Sequence, residues 1–337
     1  MTKRKFYFII SGMIVVLFIG AYLSIHIGSV KIPYSATLKA FFNNSGGNET
    51  TELAMFETII NEIRLPRVLA AILCGAALSV SGAAYQSMFM NPLVSPALLG
   101  VLAGAAFGAS LGMILSPTML AAQIGAFVFG ILAVVAALFL SGFFPGNRLV
   151  MLIMGGVISS TLFTSLLSVV KYIADTKNEL PTIVYWLMGG FSSVTMPVIK
   201  ICGPILIIGI TFIILFSNYL NVLSMGDEEA SSLGVNVSKI RNILIIATTL
   251  CCSLTVSIGG MISWVGLMIP HISRMIVGHN NKFLILFSAL LGSLYLLIVD
   301  TLCRGLFTAE IPIGIVTSII GIPFFIFVIV NTNNRWN

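Results

Sequence analysis

The sequence predicts an all-α protein that crosses a membrane about ten times as one compact helical bundle. Two observations carry this. Of the 337 residues 58% are hydrophobic and only 8% charged, with a mean hydropathy of +1.08, whereas a soluble domain carries about a quarter charged residues. Apolar runs long enough to span a bilayer, roughly 20 residues each, also recur along the whole chain.

Eight runs stand out, near 6–27, 65–89, 119–143, 149–173, 198–220, 240–261, 283–303 and 312–330. Two are shorter: 97–115, rich in Gly and Ala, and 262–278, interrupted by Pro270. Counting both gives ten, an even number that returns the two termini to one side. MTKRK opens the chain, and no small-residue cleavage site follows Phe6 to Ile27, so the first run is read as a retained helix with its basic end in the cytoplasm. The remaining loops add little, since Lys and Arg divide nine inside to eight outside. Orientation therefore rests on MTKRK and on the parity of the spans.

The loops define one transmembrane domain over 1–337 with three notable segments. Residues 28–62 form an outside segment with room for a small helix. Residues 174–197 form a second, where Trp186 suits the membrane interface. Residues 221–239 form the longest polar break on the cytoplasmic face. No large soluble domain interrupts the spans, so any energy source or ligand-capture domain belongs to another chain. Runs of small residues at 75–84, 100–112 and 155–160 let helix backbones approach closely and predict a tight bundle, with some of these glycines also available to line a path.

Enzyme chemistry has no support in the motifs. The chain lacks G-x-x-x-x-G-K-[ST], G-x-S-x-G, H-E-x-x-H and a dinucleotide fingerprint. Its five cysteines have no CxxC or Cys/His ligand spacing and read as packing residues, so neither a catalytic residue nor a metal site is assigned. Basic residues form no run of the kind that binds nucleic acid.

Three features remain. Asp300 and Arg304 lie one helical turn apart in LYLLIVDTLCRGLF, either as a local ion pair at the outer boundary or with Arg304 turned to an outside partner. Arg64 and Arg67 flank Leu65-Pro66 before the second span, as interfacial anchors that snorkel or as cations for a carboxylate. GDEEASSLG, 226–234, predicts a short cytoplasmic helix with Asp227 capping its first turn, Glu228 and Glu229 at its positive end and Gly234 ending it. Ala230 and Gly234, four apart, would leave one face bare enough to seat in another protein's groove.

Four blocks of the chain, in order, resemble the FecCD-type permeases of ABC importers for iron-siderophores, haem and cobalamin. They are RLPRVLAAILCGAALSVSGAAYQSMFMNPLVSPALLGVLAGA (64–105), GDEEASSLGVNV (226–237), VGLMIPHISRMIVG (265–278) and EIPIGIVTSIIGIPFF (310–325). The resemblance covers nearly the whole chain. It implies ten helices per subunit, a second permease subunit that is either an identical copy or a sister chain, and two ABC ATPase subunits that bind ATP and magnesium. It also implies a substrate-binding protein docking from outside the cytoplasmic membrane.

By motif match, Arg64, Arg67 and Arg304 become outward docking cations. Asp227, Glu228, Glu229, Ala230, Leu233 and Gly234 become the ATPase-coupling loop. Gly146 and Asn147, in the FPGNR turn before the fifth helix, become candidates for a cytoplasmic gate. The chain itself then holds no cofactor. The expected cargo is a metal chelate, iron-siderophore first, with haem or cobalamin as alternatives. An ion-gradient-driven secondary transporter is the rival from another class, and a non-transporting membrane scaffold a third.

Overall fold

The computed structural model describes residues 2–28, 30, 32–33, 37, 51–143, 146–305 and 310–333. Most of the outside segment 28–62 lies outside the described residues, as do Phe144 and Pro145 of the FPGNR turn. Among the described residues, seven helices are long and apolar enough to cross a membrane, and three shorter apolar ones bring the set to ten.

The helices that matter below are α1 (Lys3–His26), α2 (Leu65–Met88), α3 (Val101–Leu115), α4 (Met119–Ser141) and α5 (Arg148–Ile173). After them come α6 (Glu179–Leu187), α7 (Met196–Leu215), α8 (Ser217–Leu223), α9 (Asp227–Ser232) and α10 (Val237–Gly259). The chain closes with α11 (Val265–Val277), α12 (Asn281–Gly305) and α13 (Ile313–Asn333). α6, α8 and α9 are connectors, not spans.

α2 is the axis of the bundle. It packs against α7, α10, α11 and α12, and its span is 83% buried, against 17% for α1 and 22% for α7. Glycine makes these contacts possible. A Cβ on Gly75 would collide with the Gly292 carbonyl of α12, and one on Gly108 of α3 with the Gly125 carbonyl of α4. In lipid, where helices gain nothing by leaving water, such backbone approach is the main source of association.

α2 does not begin where its apolar run begins. Helical residues Thr51–Thr58 and a π-turn, Ile59–Arg64, lead straight into it. Pro66 explains the wide turn. A proline ring clashes with the carbonyl four residues back and offers no N–H. Here the N–H of Leu65 reaches back five residues to the Ile60 carbonyl, so the helix widens to pass the proline instead of stopping.

Three helix ends meet in one junction. Gly190 donates to the Gly259 carbonyl at 2.8 Å, and Ile313 to the Gly189 carbonyl at 2.9 Å. The end of α6, the end of α10 and the start of α13 thereby satisfy one another's backbone, as non-helical chain among membrane spans must. Trp264, with φ of 70°, leads into α11, and its ring lies where any side chain on Gly321 of α13 would strike it. Trp186, expected at the interface, is instead buried among Ala105, Ala109 and Val256, because α6 packs against α3 where it reaches the junction.

Candidate functional site at the two ends of the bundle

One end collects the predicted arginines into a buried charge cluster. Arg67 donates through Nε to Asp300 Oδ1 at 2.7 Å and through Nη1 to both Glu310 oxygens at 2.9 and 2.8 Å. Arg304 lies with its Nε 3.3 Å from Asp300 Oδ2, close enough for charge pairing but off hydrogen-bond geometry. Arg304 also donates to the carbonyl of Ser24 at 2.6 Å and to its hydroxyl. Arg64 donates to the carbonyls of Ile25 and Val30, capping the end of α1.

This arrangement differs from three outward docking cations. All three arginines are buried, with side chains turned to their own chain. Asp300 is wholly buried, 0% exposed, whereas Glu310 at the rim keeps 42% of its side chain in the open. The reason is electrostatic. An ionised Asp300 within a helical bundle needs paired charge, and the π-turn before Pro66 brings Arg67 to it from a second helix. The expected Asp300–Arg304 pair is present, but as one edge of a larger network.

At the other end, the short helix is α9, and its caps differ in part from expectation. Gly226, with φ of 117°, is the N-cap, and no side chain caps the turn. Asp227 turns instead to Arg241 of α10, which donates from Nη2 at 2.6 Å and Nη1 at 3.1 Å. The hydrogen bond from Arg241, and then the charges of Arg241 and Arg148, hold the Asp227 carboxyl below the ordinary carboxylate range against the opposing cost of burial. Gly234 ends the helix as expected, with φ of 80°. Its N–H bonds the Ser231 carbonyl, and the N–H of Val235 bonds Ala230, the paired closure of a Schellman motif.

Ala230 is fully buried against its own chain, so it does not share a bare outer face with Gly234. What α9 presents is mixed: Glu228 and Glu229 are exposed, and beside them stand Leu233 and Met225, 61% and 60% exposed.

Asn147 is the N-cap of α5, its side chain accepting from the N–H of Leu149 at 3.0 Å and of Val150 at 3.4 Å. Gly146 precedes it with φ of 149°. Two residues missed by sequence reasoning stand between these features. Arg241 is 0% exposed and clamps α9. Arg148 donates to Ser238 Oγ at 2.7 Å and Asn242 Oδ1 at 3.1 Å, both on α10. Each counts only as an inside cation in the sequence; the i,i+4 spacing of Ser238 and Asn242, the acceptors of Arg148, is the single local hint.

The FecCD transport family model matches residues 14–331. The chain is similar to the molybdate import system permease protein MolB of Haemophilus influenzae, 36% identical over 318 residues and covering 94% of each chain. It is also similar to the hemin transport system permease protein HmuU of Yersinia pestis, 33% identical over 295 residues, 86% of this chain and 87% of that one. Among solved structures, an inward-facing ABC transporter described as of metal-chelate type superposes with a TM-score of 0.85 at 35% identity, covering 96% of this chain and 99% of that one.

Proposed function

The chain belongs to the FecCD transport family, and from that premise we propose that this ABC importer permease carries a metal chelate, an iron-siderophore first, inward across the cytoplasmic membrane. Both termini lie on the cytoplasmic side in this reading. Polarity of the two ends supports it above all. α12, 25 residues long, separates them by about 37 Å at 1.5 Å per residue. At one end Arg67 and Arg304 pair with Asp300 and Glu310 while Arg64 bonds the carbonyls of Ile25 and Val30, leaving an excess of positive charge in the cluster. At the other an acidic, partly apolar helix stands exposed.

The outer cluster receives the substrate-binding protein. Glu310 holds Arg67 from the rim, so an acidic side chain on the partner takes Glu310's place and inherits a fixed two-pronged guanidinium. Arg64 and Arg304 hold the surrounding backbone in place for that exchange. At the inner end, α9 seats in a cleft of each ATPase subunit, with Leu233 and Met225 as its apolar contacts. The little-buried outer faces of α4 and α5 serve the second permease subunit and lipid.

An ion-gradient mechanism fits less well. Asp300, the one buried carboxylate among the described residues, is committed to two arginines and is not poised to carry a proton or sodium ion.

The test is reconstitution in liposomes with a candidate ATPase and binding protein, following ATP hydrolysis and uptake of labelled iron as a hydroxamate chelate. Haemin, cobalamin and molybdate form the comparison panel. Stimulated hydrolysis with iron uptake is the expected result. Stimulation by another panel member alone reassigns the cargo, and uptake by the permease alone under an ion gradient rejects the reading.

A further inference from the structure

We infer that Arg148 is a positioning residue that passes the movement of the coupling helix α9 to the transmembrane helix α5 through the first turn of α10. This rests on the importer reading above, in which the ATPase moves α9.

Three observations carry it. First, α9 and α10 are clamped together. Arg241, wholly buried, grips Asp227 with two hydrogen bonds, and only residues 233–236 separate the two helices. Asn236 then caps α10 by accepting from the N–H of Lys239 at 3.0 Å. Second, the same turn of α10 holds α5. Ser238 and Asn242, one turn apart and flanking Arg241, accept the two prongs of the Arg148 guanidinium. A planar fork held at both tips fixes orientation as well as distance. Third, the first turns of α5 are otherwise held by apolar packing, with Leu152 in the main core and Leu149 against it. That packing is on α3, α4 and the 3-10 turn Pro96–Leu99, each of which also touches α10.

Arg148 therefore adds a direct polar bridge between two helices that otherwise communicate through the elements packed between them. Severing it leaves the packed core untouched, because Arg148, Ser238 and Asn242 meet at the surface. Severing it removes the direct route from α9 to α5.

The test compares wild type with Arg148→Ala in the reconstituted permease–ATPase complex. ATP hydrolysis and hydrogen–deuterium exchange of α9 and of the first turns of α5 are read without nucleotide and after trapping with ATP and vanadate. In wild type both helices change exchange between the two states. In Arg148→Ala, hydrolysis persists, because the hydrogen bonds of Arg148 go to α10 and not to α9, and α9 still responds. The response of α5 is lost.

Arg148→Cys with Ser238→Cys, joined by a short thiol-bridging reagent, restores the α5 response. Loss from Arg148→Ala and return on bridging is a pattern that simple fraying of α5 does not produce. An intact α5 response in Arg148→Ala overturns the inference, as does loss of hydrolysis together with the response, or failure of the bridge to restore it. No nucleotide response at α9 in wild type would instead overturn the importer reading, and this inference with it.

Discussion

Asp300 sits between two arginines with no exposure to solvent, so its removal strands like charges in a buried place. Breaking a buried ion pair by deleting one partner costs about 3–5 kcal/mol. Asp300→Ala is expected to lose that much stability, read as a large drop in the melting temperature of the purified permease. A change near zero would show that water or lipid headgroups already solvate the arginines. Glu310→Gln should behave differently. Its side chain is 42% exposed, and exposed pairs contribute at most about 1 kcal/mol, so stability should change little. Docking should tighten, because Arg67 is released for the partner's carboxylate; equal or weaker affinity in a binding assay on nanodiscs counts against the exchange. The Asp300–Arg304 edge of this cluster was legible, since an i,i+4 pair of opposite charge is a local signal. Arg67 pairs with Asp300 across 233 positions, and no spacing rule reaches that far.

At the scale of elements, the sequence showed where apolar runs lie but not how their ends are finished. Pro66 reads as a boundary, yet the helix passes through it because a π-turn relieves the clash. The composition of GDEEASSLG called for a helix, and Gly234 closes it as expected. Its start was misread because Asp227 has a stronger partner than the free N–H groups: a charged, buried guanidinium. That choice has a pH signature. A carboxyl whose pKa is depressed on folding contributes stability that is fully present above its ordinary range and is lost as pH falls through the depressed value. The stability difference between wild type and Asp227→Asn should therefore stay constant from neutral pH down to the ordinary carboxylate range, then vanish in stronger acid. A difference that already fades near neutrality would contradict the clamp. Among the spans, Gly108→Leu forces a side chain into the Gly125 carbonyl. Overpacking costs roughly 1–3 kcal/mol or more, and lower melting with loss of α3–α4 protection from exchange is expected.

At the scale of the molecule, the ten apolar helices among the described residues were legible from length and hydropathy, including the short ones at 97–115 and 262–278. The junction that joins α6, α10 and α13 was not, because it is built from backbone groups that any residue carries. Assembly entered the sequence reading only as the expectation that energy comes from another chain. In the function proposed above, that chain binds the exposed end of α9. Leu233→Glu is expected to weaken association with the ATPase about tenfold or more, the loss of one interface anchor, measured by co-purification and by binding kinetics. Unchanged association would move the contact elsewhere.

The burial of α2 on all sides has one more consequence. A helix locked by glycine contacts to its neighbours cannot tilt alone without breaking several interfaces at once, and packed interiors resist gradual deformation. α2 is then the mast of the machine and its outer helices the rigging. A distance probe on α2 should stay fixed against α12 throughout the ATP cycle, while α5 swings around both.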